Sequence, residues 1–200
     1  QARALVHVYT DGSVGISTGV IEMGQGVNTK LVQVASQVFG IDTGRIKIES
    51  TNTTRVANSS PTAASTGADL NGQALMVACK AIVQRLKKVA AILNSVKAGE
   101  IELRDEQIFA GEKATGISWE ELITEAYSRR VSLSETGHYS TPIIHFDSKN
   151  GVGHPFAYHV YGTAVLTAKV DCLRGTYEME EVQIIHDFGK SMNQVIDTGQ

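Results

Sequence analysis

Apolar and polar residues alternate along residues 4–9 (ALVHVY) and again along 13–18 (SVGIST), with Asp11-Gly12 between them, which predicts a β-hairpin. From 27 to 39 the spacing changes. Leu31, Val34, Ala35 and Val38 fall on one face of a helix, and Gly40 stands where a C-terminal cap is expected. RIKIES (45–50) alternates again, with Ile46 and Ile48 on one side. A small, polar stretch then leads to a helix over 67–93, striped by Leu70, Ala74, Val77, Ala81, Ile82, Leu86 and Val89. Lys80, Arg85, Lys87 and Lys88 lie off that stripe and read as a solvated face.

Residues 94–117 are a polar, glycine-containing excursion with a small hairpin around Gly111. Ser118-Trp-Glu-Glu opens a third helix to about 128, with Ser118 as cap and Glu121 completing a capping box. VSLSETGHY (131–139) reads as a strand and 142–155 as a long loop. Two long strands follow over 156–171 and 175–187, turning at Arg174-Gly175, and the tail FGKSMNQVIDTGQ reads as loop. The order β-β-α-β-α, then α-β-β-β, predicts an α+β fold, a mixed-sheet two-layer α/β sandwich. It also raises two similar halves, 1–93 and 118–200, around an insertion-like 94–117, although no sequence repeat accompanies them.

Composition narrows the function. The 200 residues are 42% apolar and 20% charged, with a net charge of −3, which is globular and lacks the basic face of a nucleic-acid binder. No apolar run reaches the length of a membrane span. Cys79 and Cys172 are far apart and form no CxxC pair, which excludes a thiolate zinc site and fits a reducing, cytoplasmic setting. The sequence opens on Gln1 in an alternating run and closes on Gln200 in mid-motif, as a piece of a longer polypeptide would.

Two junctions share a design of strand, small-residue loop and helix. The first is Glu22-Met-Gly-Gln-Gly26; the second is Ser59-Ser-Pro-Thr-Ala-Ala-Ser-Thr-Gly67. A helix start offers unpaired N–H donors, and Gly24, Gly26, Ala63, Ala64 and Gly67 leave the backbone open to a ligand. The first junction lacks the Lys-Ser/Thr of a Walker loop and the third glycine of a dinucleotide fingerprint. Gln25 carries a donor and an acceptor side by side, which suits the edge of a pterin or a purine. Plain helix capping accounts for either junction taken singly.

Other polar residues form no recognised constellation. His138, His145, His154 and His159 lack paired metal-ligand spacing. His186 and Asp187 are adjacent on a strand and point to opposite faces. The serines have no G-x-S-x-G elbow, and Cys79 lies on the apolar helix.

The segments EMGQGVNTKLVQVASQVFGI, SSPTAASTGADLNGQA, SWEELITEAY, VSLSETGHYSTP, VDCLRGTYE and DFGKSMNQVIDTGQ, in this order, resemble the molybdenum-binding region of xanthine dehydrogenases, within the molybdenum hydroxylases that include aldehyde oxidases. The resemblance covers nearly the whole chain apart from about 87–117. It implies a molybdenum–molybdopterin cofactor between the two loops. Met23, Gly24 and Gln25 would line one side, and Thr62, Ala63, Ala64 and Ser65 the other, with Gly67 where relatives often have serine. Gln200 matches the glutamine ending a D-x-G-Q segment. On this reading Gln25 meets the neutral pterin edge and backbone donors hold the phosphate. The metal is held by the cofactor and not by Met23.

The resemblance further implies that the catalytic base, a glutamate in a GEPP-like segment, lies beyond residue 200. The upstream glycine-rich loop and the substrate-clamping arginine and phenylalanine would precede residue 1. Glu22, Glu120, Glu121 and Glu135 match no catalytic motif, so the segment alone is expected to be inactive. FAD and iron–sulfur clusters are expected in other domains or subunits of a homo-oligomeric parent acting on a small heterocyclic substrate. A non-catalytic scaffold segment and an aldehyde oxidase-type hydroxylase are the rival readings.

Overall fold

The structure, a computed structural model, describes all residues except Ser50, Ala64, Phe188 and Gln200. The chain divides into two compact units, Gln1–Thr141 and Pro142–Gln200.

In the first unit the alternating segments become β1 (Ala2–Val8) and β2 (Val14–Thr18), antiparallel, with Val6 opposite Ile16 and Val8 opposite Val14. Gly12 takes φ +81° in the turn between them. Helix α1 (Val27–Phe39) buries Val27, Leu31, Ala35 and Phe39 and ends at Gly40 in the left-handed conformation, as its pattern predicts. A one-turn 3-10 helix, Thr43–Arg45, leads to β3 (Ile46–Ile48), parallel to β2. The long helix α2 (Gly67–Asn94) buries Ala74, Ile82, Leu86 and Val89 of the expected stripe. Val77 is instead 47% exposed, because the buried face turns through Leu75, Ala78 and Cys79.

Residues 101–118 form a three-stranded meander, β4 (Ile101–Arg104), β5 (Gln107–Ala110) and β6 (Lys113–Ser118), where a single small hairpin was expected. Its polar surface conceals two anchors, Ile101 and Ile108, both within the core. Helix α3 (Trp119–Ser128) starts with the expected box, as the Glu121 N–H donates to Ser118 Oγ and the Ser118 N–H to Glu121 Oε2. Strand β7 (Ser134–Tyr139) then returns to pair with β1, antiparallel, so that the four-stranded sheet runs β3-β2-β1-β7. Residues 134–139 therefore share a sheet with residues 2–8, and the contact boundary falls at 141/142.

The face bearing Ala4, Val6, Val8, Val14 and Ile16 joins α1 and α2 in one hydrophobic core, a two-layer α/β arrangement. Arg85, expected on a solvated face, reaches from α2 to β7. Its Nη1 donates to Glu135 at 2.7 Å and its Nη2 to the Ser134 carbonyl at 3.0 Å.

The second unit has a different element order. The expected loop over 142–155 contains a short hairpin, β8 (His145–Asp147) with β9 (Val152–His154). Two long antiparallel strands follow, β10 (Tyr161–Asp171) and β11 (Thr176–Asp187). The pairing shifts between Thr167, opposite Glu181, and Ala168, opposite Met179, so Glu180 is a bulge residue. The bulge changes the parity of β11. Tyr177 and Met179 then share a face with Val182 and Ile184, opposite Val170, Ala168, Leu166 and Ala164. The tail forms a short helix, α4 (Gln194–Gly199).

Candidate functional site

The first loop leaves β2 at Gly19 and enters α1 at Val27. Gly24 (φ +99°) and Gly26 (φ +72°) occupy backbone conformations that a side chain would strain, which explains both glycines locally. Gly26 is the cap residue of α1 and has no side chain to cap with. Glu22 supplies the missing acceptors from outside. Its Oε1 accepts the N–H groups of Gly24 at 2.9 Å and Gly26 at 3.0 Å, and its Oε2 accepts that of Asn28 at 3.0 Å. These bonds, that from Asn28 foremost, hold the Glu22 carboxyl below the usual carboxylate range.

Gln25 turns back on the same loop. Its Oε1 accepts the Met23 N–H at 2.6 Å, and its Nε2 donates to the Ile21 carbonyl at 2.9 Å. Three of the N–H groups at this junction, those of Gly24, Gly26 and Asn28, are thus engaged by Glu22. Orphan helix-end donors are costly to leave unpaired, and a carboxylate four to six residues upstream is within reach of them.

The second loop lies against the first. The Ile21 N–H donates to Thr62 Oγ1 at 2.9 Å, and Thr51 Oγ1 donates to the Val20 carbonyl at 2.8 Å. A Cβ on Gly67 would stand 2.8 Å from Val20 Cγ2, so the glycine is what lets α2 begin so close to the first loop. Ser65 takes φ +56°, and the Ala63 carbonyl accepts the Thr66 N–H at 3.3 Å, which turns the chain into α2. The two loops thus meet through Ile21 with Thr62 and through Val20 with Gly67. Ala64 and Gln200 lie outside the described residues.

Chain neighbours aside, no atom of the described residues lies within 4 Å of the place a Gly24 Cβ would take, and Met23 is 68% exposed beside it. Ser59 Oγ and Asn71 Oδ1, both buried atoms of the second loop and its helix, have no hydrogen-bond partner among the described residues. A cleft of about 420 Å³ is walled by Val20, Ile21, Glu22, Asn28, Glu49 and Thr51. Glu22 and Glu49 both stand in that wall, Glu49 paired with Lys47 at 3.1 Å and Arg55 at 3.3 Å. A larger cleft of about 650 Å³ lies at the other end of α1, between Gly40 and Glu106; among the described residues, neither cleft is walled by a candidate residue.

Sequence reasoning missed Glu22 as a loop-builder, weighing it only as an unassigned acid. An acid just ahead of an uncapped helix was the available signal. Asn71 and Ser59 carried no signal beyond their polarity. The tempting groups stay apart. His145 and His154 face each other across β8 and β9 with ring centroids 5.3 Å apart, and no cluster of three or more metal-ligating side chains occurs among the described residues. Burial pushes the Cys79 thiol up to about 12, leaving it inert. No helix among the described residues is long and apolar enough to cross a membrane.

Two small-residue loops thus meet at the starts of two packed helices of an α/β domain. The chain belongs to the molybdopterin cofactor-binding domain family, which it matches over residues 1–200. It is 44% identical over 200 residues to the xanthine dehydrogenase/oxidase of Felis catus and 40% identical to the aldehyde oxidase 2 of Macaca fascicularis, covering all of this chain and 13% of each relative. Among solved structures it resembles quinoline 2-oxidoreductase from Pseudomonas putida 86, with a TM-score of 0.82 at 20% identity, over 99% of this chain and 25% of that one. CO dehydrogenase from Oligotropha carboxidovorans gives a TM-score of 0.79 at 22% identity, over 99% and 24%. These likenesses extend the fold assignment to both units.

Proposed function

We propose that the two loops hold the molybdopterin of a xanthine dehydrogenase-like molybdenum hydroxylase, and that the chain is one part of that enzyme's molybdenum-binding region. The lacing of the loops through the Ile21 N–H and Thr62 Oγ1 is the observation that carries this reading. In it, Met23, Gly24 and Gln25 flank one side of the pterin, and Thr62, Ala63, Ala64, Ser65 and Gly67 the other, with Gln200 as a further contact. When bound, the cofactor supplies the metal and the redox chemistry for hydroxylating an electron-poor carbon of a purine or related heterocycle with oxygen from water.

The residues of this chain bind and orient. Gly24 and Gly67 remove bulk, Met23 offers a polarisable apolar surface, and Thr62 ties the two walls together. The catalytic base and the substrate contacts belong to segments outside these 200 residues, as do the FAD and iron–sulfur clusters that receive the electrons. A cytoplasmic, homo-oligomeric parent fits this chemistry. The 40% identity to an aldehyde oxidase supports a second reading, with an aldehyde as substrate of the same cofactor.

The test is molybdenum and pterin content per polypeptide in the parent enzyme, for wild type, Gln25→Ala and Gly24→Val. Equal molybdenum and pterin in wild type, falling together in both variants at unchanged circular dichroism, is the expected result. A wild type without either, from a host that loads such enzymes, would leave a scaffold.

A further inference from the structure

We propose that Glu22 is a positioning residue that builds the first cofactor loop from within and keeps anions off the start of α1, reserving that loop for the uncharged part of the ligand. The proposal rests on the cofactor reading above and goes beyond it, because Glu22 belongs to no contact set that the reading assigns.

Three observations converge. Both carboxylate oxygens are used, on Gly24, Gly26 and Asn28, so three N–H groups along the approach and first turn of α1 are already paired with a charge. Gln25, held at Met23 and Ile21, laces the other strand of the loop, so the shape is set by side chains of residues 22 and 25 together. Glu49 stands in the wall of the same cleft, its own charge drawn off to Lys47 at 3.1 Å and Arg55 at 3.3 Å. An arriving phosphate would have to displace the Glu22 carboxylate from the three N–H groups it holds.

Two variants of the parent enzyme separate positioning from plain stability. In cofactor-free enzyme, inorganic phosphate at matched ionic strength should raise the Tm of Glu22→Ala by more than that of wild type, since the freed donors become an anion site. In loaded enzyme, Glu22→Ala should release pterin about tenfold faster on dilution, the loss of a charged hydrogen bond's worth of loop order. Glu22→Gln keeps an acceptor and gives up the charge and the Asn28 bond, so it should fall between the two in both measurements. An equal phosphate response in wild type and Glu22→Ala, or pterin release from Glu22→Ala at the wild-type rate, overturns the proposal. If Glu22→Ala does not fold, Glu22→Gln carries both arms, and wild-type behaviour in both overturns it. Wild-type enzyme lacking molybdenum and pterin would instead defeat the cofactor reading, while the phosphate arm still decides the role of Glu22.

Discussion

Gly137 of β7 lies directly under Ala74 of α2: a Cβ at Gly137 would stand 2.0 Å from the Ala74 carbonyl oxygen and 2.9 Å from the Ala78 nitrogen. Helix and sheet here touch backbone to backbone. Gly137→Ala must push α2 off the sheet, and overpacking of this kind costs about 1–3 kcal/mol or more. Gly99, with nothing within 4 Å of its missing Cβ and no positive φ, is the control. Chemical denaturation should show a large loss for Gly137→Ala and almost none for Gly99→Ala.

Trp119 closes the first hairpin from 107 residues away along the chain. Its Nε1 donates to the Gly12 carbonyl at 2.7 Å, and its ring packs 5.6 Å from that of Phe39. Trp119→Phe keeps an aromatic ring but leaves a buried carbonyl unpaired. A stability loss of about 1–3 kcal/mol is expected from the orphaned acceptor, with some cavity cost added. Thermal unfolding monitored by far-UV circular dichroism measures it.

Arg45 donates to both oxygens of Glu106, at 2.6 and 2.9 Å, and also to Glu120, tying the meander to the end of α1. The Arg45 hydrogen bond holds the Glu106 carboxyl below its ordinary range. A lowered folded pKa contributes stability that is fully present above the unfolded carboxylate range and is lost as pH falls through the folded value. Glu106→Gln should therefore cost about 1 kcal/mol at neutral pH. The gap between wild type and variant should close on acidification; urea midpoints across pH 3 to 7 (roughly the carboxylate range and above) test this. A gap that widens toward acid would falsify the assignment.

Thr62→Val removes the acceptor of the Ile21 N–H while keeping the shape of the side chain. If the lacing of the two loops matters to the ligand, the parent enzyme should lose pterin at little cost in stability, about 1 kcal/mol. Pterin fluorescence after oxidative release, set against Tm, separates the two effects.

Regular periodicity was the most legible part of the fold. Residues 27–39 form α1 at the bounds their apolar spacing and Gly40 announce, and the Ser118–Glu121 box marks α3 to the residue. Three-residue strands such as His145–Asp147 and Val152–His154 are too short to show alternation, and α4 is little more than one turn in a tail with no apolar stripe. Arg85 read as solvated because its partner Glu135 lies 50 residues away, beyond any local pattern. At the site, glycines and small residues marked both loops, since a chain must use them where backbones approach. The side chains that complete the first loop were less visible. Whether Gln25 faces a ligand or its own backbone depends on where Glu22 points, and spacing does not encode that.

Helix α2 gives the two walls of the site different mechanical characters. It spans 28 residues, about 42 Å at 1.5 Å per residue. Its middle is keyed into the sheet at Gly137, and Leu75, Ala78 and Cys79 are buried in the same core as Leu31 of α1. A rod seated in such notches has no freedom to slide by a fraction of a turn, so the Gly67 end is a fixed jaw. The residues opposite hang on a glycine-hinged strap held by the side chains of Glu22 and Gln25. Any give needed to admit a bulky planar guest falls to that strap, and tightening it should change how fast a guest enters and leaves well before it changes how stably the chain folds.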